Sequence, residues 1–198
     1  MARTLEFYFD YGSPYSYLAD TQVVTIAART GATLVRKPML LGGVFKATGN
    51  QSPVTIPAKG RWMLGDLQRW AARYGVPLRF NPHFPVNTLA LMRIATGLQL
   101  REPERFAAYV TAVFRAMWVE PVAMGDAAVM AAALTAAGFD AAALAALAAD
   151  AEVKAALVAT TEEAVARGVF GAPTMFVGDA MFFGQDRLDF VREALAQA

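Results

Sequence analysis

The spacing of apolar positions along this chain changes period several times, and each change marks a change of element. Leu5 to Phe9 is a short run of mostly aromatic, strand-favouring residues closed by the turn-forming Asp10-Tyr11-Gly12, which predicts a β-strand. Ser13-Pro14 follows, with a side-chain acceptor at the N-cap and a proline at the first helical position. Leu18, Thr21, Val24 and Ala28 then keep helical spacing up to Gly31, which stands where a left-handed C-terminal cap belongs. Thr33 to Arg36 is predicted as a second strand, ended by Pro38. A strand-helix-strand order implies a parallel pair joined by a right-handed crossover.

Residues 39 to about 85 lose this regularity. Gly42-Gly43, Gly49-Asn50, Pro53 and Pro57 predict a long irregular connection, of the kind that is usually functional or disordered. Inside it only Trp62 to Arg73 has helical spacing, and Pro82 to Pro85 makes another break. From Asn87 the pattern is helical almost to Gly168. Over Glu104 to Trp118, Phe106, Tyr109, Val110, Val113, Phe114, Met117 and Trp118 form one apolar stripe. Asp126, Asp140 and Asp150 are candidate N-caps of three further helices, with Gly138 and Gly168 as stops. The alanine-rich stretch shows no fixed period and predicts no repeat architecture. Thr174 to Val177 and Met181 to Phe183 flank Gly178-Asp179 as a hairpin, and Asp186 is expected to cap a final helix with Leu188, Val191 and Leu195 inward. The expected fold class is α/β: a thioredoxin-like frame from residues 1–38 and 165–198, split by an all-helical insertion over 39–164.

Composition adjusts this picture little. The length of 198 residues suits one domain with an insertion, and the apolar fraction of 56% owes much to alanine, which favours helix. Eighteen basic against seventeen acidic residues give a net charge of +1, which asks for no nucleic acid, acidic partner or membrane surface. The absence of cysteine excludes disulfides, thiolate metal sites and any cysteine nucleophile from the chain. Met1 to Leu5 runs straight into a strand pattern holding Glu6 and Asp10, without the apolar core of a signal peptide. No apolar run is long enough to span a membrane. A cytoplasmic protein without a metal is the expectation.

The chemistry concentrates at two junctions. Ser13-Pro14-Tyr15-Ser16 lies where the first strand meets the first helix. Thioredoxin-like redox proteins carry Cys-X-X-Cys there, because a helix N-terminus lowers the pKa of a thiol. Here serine stands at both cysteine places. Two readings follow: Ser13 only caps a helix, or the anion-stabilising site is kept while the thiol arrives with a ligand. Ala172-Pro173-Thr174 opens the third strand, an ordinary place for proline. In a thioredoxin frame it also faces the first helix terminus, where a cis Ala172-Pro173 bond would turn backbone groups toward a peptide ligand such as glutathione.

Several segments together carry a family resemblance. They are Phe7-Tyr8-Phe9-Asp10 with Gly12 to Leu18, Gly49-Asn50-Gln51-Ser52-Pro53 with Pro57-Ala58-Lys59, and Asp66-Leu67-Gln68-Arg69-Trp70-Ala71. Phe84-Pro85-Val86-Asn87-Thr88, Val169 to Thr174 and Gly184-Gln185-Asp186-Arg187 complete them. In this order, over nearly the whole chain, they resemble the 2-hydroxychromene-2-carboxylate isomerases, within the kappa-class glutathione transferase and DsbA-like group. The resemblance implies glutathione as cofactor, a small aromatic carboxylate as substrate and a homodimer. It implies that Ser13 activates the glutathione sulfur, that Ala172 pairs with the cysteinyl backbone beside Pro173, and that Asp186 with Gln185 takes the γ-glutamyl end. Asn50 and Lys59, the latter expected on a loop, would lie over the same cleft and take the anionic substrate or the glycyl end of glutathione, and Trp62, near Lys59, would wall an aromatic substrate site. The implied reaction interconverts 2-hydroxychromene-2-carboxylate and trans-o-hydroxybenzylidenepyruvate in naphthalene-type catabolism. A kappa-like transferase that conjugates electrophiles, or a non-catalytic thioredoxin-fold binding protein, are the alternatives. His83, Trp70, Trp118, Arg69 and Arg73 are read as structural or surface residues.

Overall fold

The computed structural model describes residues 3–197 and builds them around a four-stranded sheet in the order β2-β1-β3-β4. Strand β1 (Thr4–Phe9) runs parallel to β2 (Thr33–Pro38) and antiparallel to β3 (Thr174–Val177), which pairs with β4 (Ala180–Phe183). The alternation within β1 divides the core. Leu5, Phe7 and Phe9 join the larger apolar cluster, whereas Tyr8 packs with Met39, Val44, Ala164, Val169 and Phe176. A central strand buried on both faces has little polar surface, which explains its near-continuous aromatic run.

Helix α1 (Pro14–Thr30) follows β1 directly, capped by Ser13 and stopped by Gly31 at φ 68°. The structure corrects its inward face. Val24 and Ala28 are exposed, and Leu18, Ala19, Val23, Ile26 and Ala27 are buried instead. The first two turns are buried almost all round, so no single stripe could be read from them.

The irregular connection expected over 39–85 is largely helical. Helix α2 (Leu41–Thr48), a 3₁₀ turn at Pro53–Thr55 and α3 (Pro57–Tyr74) occupy it. Local composition argues against α2, and tertiary contacts make it. The Asp10 carboxylate accepts from the Leu41 N–H at 2.9 Å, Leu40 N–H donates to the Thr161 hydroxyl at 3.0 Å, and Val44 is fully buried. Gly43 lies where a Cβ would come within 3.1 Å of the Thr161 methyl, so this glycine permits close helix approach rather than a loop. Helix α3 starts with Pro57 at its first position, five residues before the predicted Trp62, which moves Lys59 from a loop into a first helical turn.

Helices α4 (Leu89–Arg101), α5 (Pro103–Trp118), α6 (Ala127–Ala136), α7 (Ala141–Ala149) and α8 (Ala151–Ala166) follow. Asp126, Asp140 and Asp150 cap the last three through backbone N–H donors at 2.8–3.2 Å. The predicted stripe of α5 is buried throughout, and the Trp118 indole N–H donates to the Tyr11 carbonyl at 2.8 Å. That bond ties the insertion helices to the turn before Ser13. His83 is exposed.

After β4, Gly184 at φ 97° leads into a 3₁₀ turn over Gln185–Arg187, and α9 (Leu188–Gln197) begins beyond it with Leu188, Val191 and Leu195 buried. Asp186 therefore does not cap the final helix. Its carboxylate accepts instead from the Arg187 guanidinium at 2.7 Å. No helix among the described residues is long and apolar enough to cross a membrane.

Candidate active site

The N-terminus of α1 is a candidate site because of how its donors are distributed. Gly12 N–H goes to the Asp10 carboxylate at 2.8 Å and Ser13 N–H to the Asp10 carbonyl at 3.0 Å. Pro14 has no N–H, and the Ser16 N–H donates to the Ser13 side chain at 3.1 Å. Tyr15 thus holds the first-turn N–H that has no partner among the described residues, at the positive end of a 17-residue helix.

Facing it is the segment before β3. The Ser13 hydroxyl donates to the Ala172 carbonyl at 3.0 Å, and the Ala172-Pro173 bond is cis. A second cis bond, Phe84-Pro85, lies in the break predicted between the helices, though its isomer had no signal in the sequence. Ser16, at the second serine place, is fully buried, and its hydroxyl has no hydrogen-bond partner among the described residues. It does not line the cleft.

The cleft itself has a volume of about 810 Å³ and opens between α1, α3, the 49–53 loop, the 170–173 segment and the 3₁₀ turn. All eight residues singled out from the sequence line it: Ser13, Ala172, Pro173, Gln185 and Asp186 together with Asn50, Lys59 and Trp62. Their settings differ. Ser13, Pro173 and Gln185 are buried, whereas Asn50, Lys59, Trp62 and Asp186 are exposed. Asn50 is partly engaged, since its amide donates to the Phe170 carbonyl at 2.8 Å and its side-chain oxygen accepts from the Gln51 N–H at 2.8 Å. Gln185 is held by its backbone, whose carbonyl accepts from the Tyr74 hydroxyl at 2.8 Å. Burial, with the nearby Asp186 and Asp189 carboxylates, pushes that Tyr74 phenol up to about 12.

Other residues of the cleft escaped the sequence reading. Tyr15 donates to the Asp66 carboxylate at 2.9 Å, joining α1 to α3 across the cleft, and burial beside Asp66 pushes its phenol up. The two residues lie 51 positions apart, so no local spacing could pair them. Phe45, Phe84, Phe170 and Phe183 add aromatic wall, with Phe170 and Phe183 in contact at 4.5 Å between ring centres. Asp10, read only as a turn former, is fully enclosed below the site. Burial pushes its carboxyl up, against the donors from Gly12, Leu41 and Thr88.

The chain is similar to known proteins over nearly its whole length. The DSBA-like thioredoxin domain family matches residues 4–196. A 2-hydroxychromene-2-carboxylate isomerase of Sphingobium xenophagum is 34% identical over 98% of this chain and 99% of its own. Human glutathione S-transferase kappa 1 is 29% identical over 100% of this chain and 92% of its own. The solved structure of a 2-hydroxychromene-2-carboxylate isomerase superposes with a TM-score of 0.85 at 34% identity, covering 98% of this chain and 95% of that one.

Proposed function

The chain belongs to the 2-hydroxychromene-2-carboxylate isomerase and kappa-class glutathione transferase family of DsbA-like thioredoxin domains, and within it we propose a glutathione-dependent isomerase. Its substrates would be 2-hydroxychromene-2-carboxylate and trans-o-hydroxybenzylidenepyruvate. The observation that carries this reading is the pairing of the Ser13 hydroxyl with the Ala172 carbonyl at the end of α1, in a chain without cysteine. An anion-stabilising helix terminus that has no thiol of its own suits a borrowed one.

The residues present fit glutathione. Ser13 and the Tyr15 N–H converge on the helix terminus as donors to a sulfur anion. The Ala172 carbonyl is an acceptor for a peptide N–H, and the exposed Asp186 carboxylate is a partner for the γ-glutamyl amine. When bound, glutathione supplies a thiolate that adds reversibly to the conjugated alkene and so lets the former double bond rotate. The protein's own part is orientation and charge stabilisation. Lys59 and the one amide hydrogen that Asn50 keeps free of Phe170 would hold the substrate carboxylate or the enolate charge. Trp62, Phe84 and the Phe170–Phe183 pair would exclude water and stack against the aromatic ring. A reduced thiol is required, and the cytoplasm keeps glutathione reduced.

The test is to follow substrate and glutathione together. Isomerisation with total glutathione unchanged supports the proposal. A stable glutathione adduct that accumulates with turnover would make the protein a conjugating transferase, and no turnover with either substrate isomer would refute the reading.

A further inference from the structure

Four successive carbonyls lie along the cleft wall before β3, and each has a donor. Phe170 receives the Asn50 amide at 2.8 Å, Gly171 the Thr174 hydroxyl at 2.8 Å, Ala172 the Ser13 hydroxyl at 3.0 Å and Pro173 the Gly184 N–H at 3.0 Å. The Ala172 partner differs from the others in one respect. Ser13 is also the group that would donate to a sulfur anion at the helix terminus, and a hydroxyl carries a single donor hydrogen. Its Oγ is further fixed by accepting the Ser16 N–H at 3.1 Å, which leaves rotation of that one hydrogen as its freedom. A thiolate therefore competes with the Ala172 carbonyl. If the hydrogen turns to sulfur with nothing replacing it, the half-buried Ala172 carbonyl loses its donor, and that loss opposes the turn.

We propose that the Ala172 carbonyl determines thiol specificity: it holds the Ser13 hydrogen until a backbone N–H of the ligand takes its place. The inference rests on the reading of this cleft as a glutathione site. In a cysteinyl peptide the amide N–H and the CH2 that bears the thiol are both attached to Cα, so one ligand can cap Ala172 and present sulfur to Ser13 at once. A simple thiol has no N–H to offer and leaves the Ser13 hydrogen on Ala172. No proton is exchanged with the protein. Ser13 keeps its hydrogen, and the thiol proton leaves to solvent.

The sequence supplies a clean probe, because Ala-Pro occurs once in the chain. Carbonyl-¹³C alanine with ¹⁵N proline gives the full-length protein a single correlated signal, from Ala172-Pro173. In the free protein, Ser13→Ala should shift the Ala172 carbonyl resonance, since it removes the donor. With glutathione bound, as verified by calorimetry on the same samples, that difference between wild type and Ser13→Ala should be lost. With 2-mercaptoethanol in place of glutathione it should persist. Ser13→Gly, which keeps an acceptable N-cap, should behave as Ser13→Ala does. A difference that persists in the glutathione complex, or disappears with 2-mercaptoethanol as well, overturns the inference while the glutathione site stands. Calorimetry showing no glutathione binding removes both.

Discussion

The Thr88 hydroxyl donates a 2.7 Å hydrogen bond to a carboxylate oxygen of Asp10, 78 residues away and shielded from solvent. The same carboxylate holds the Gly12 N–H and the Leu41 N–H, so one side chain fastens the Ser13 turn to the starts of α2 and α4. Thr88→Val keeps the shape and removes a hydrogen bond to a charged group. It should cost about 1.5–3 kcal/mol, read from urea denaturation. A variant as stable as wild type would show that the bond contributes nothing.

The buried carboxyl of Asp10 also leaves a mark on the pH profile. Burial raises it above its ordinary value of 3.8, so the folded state binds its proton more tightly than the unfolded chain does. Its contribution to stability is fully present below 3.8 and declines as pH rises through the folded value. The stability of wild type minus that of Asp10→Asn should therefore fall as pH rises above this point. Urea midpoints over a pH series measure it, and a difference that grows with pH would contradict the assignment.

Ser13 and Ser16 should separate cleanly. Ser13→Ala should slow turnover at neutral pH by about tenfold to a thousandfold, with part recovered at higher pH, where glutathione ionises unaided. Ser16→Ala removes a buried hydroxyl that has no partner among the described residues, so it should leave turnover intact and stability unchanged or improved. Equal rates in wild type and Ser13→Ala would reduce Ser13 to a helix cap.

For Asp186→Ala, binding and folding should respond differently. Among the described residues the carboxylate pairs only with the exposed Arg187 and caps no helix, so stability should stay within about 0.5 kcal/mol of wild type. Glutathione affinity should fall by about 1.5–3 kcal/mol in calorimetry. Unchanged affinity would remove Asp186 from the site.

Trp62 lines the cleft and is 62% exposed. Trp62→Ala should raise KM for an aromatic substrate by an amount worth about 0.5–1.5 kcal/mol, with kcat and stability little changed. Steady-state kinetics with the two isomers decides it, and an unchanged KM would place the substrate elsewhere in the cleft.

The residues that could be read in the sequence are those whose signals are local. Ser13-Pro14 marks a helix start within two positions, Asp126, Asp140 and Asp150 each cap the helix that follows, and Gly178-Asp179 sits at a hairpin. What the sequence hid depends on distant partners. Gly42-Gly43 reads as a loop until Thr161 and Asp10 are seen to hold α2 in place. Asp186 has the residue type of a cap, but the 3₁₀ turn carries the chain past it before α9 begins. Tyr15–Asp66 leaves no trace in spacing at all. Most of the eight candidate residues, which all line one cleft, were singled out through a resemblance that spans the chain, whereas position at the element junctions alone offered Ser13 and the Ala172-Pro173 segment.

The separation of Ser13 from Ala172, 159 residues, also bears on how the protein comes into being. Strand β1 is synthesised well before its β3 neighbour and before the 170–173 and 183–186 segments of the cleft. At 5–20 residues per second, roughly eight to thirty seconds of synthesis pass between the two. During that interval the aromatic face of β1 has only β2 beside it, and the early helices must shelter it. A nascent chain thus lacks the Ala172 side of the cleft until β3 has been made and paired with β1.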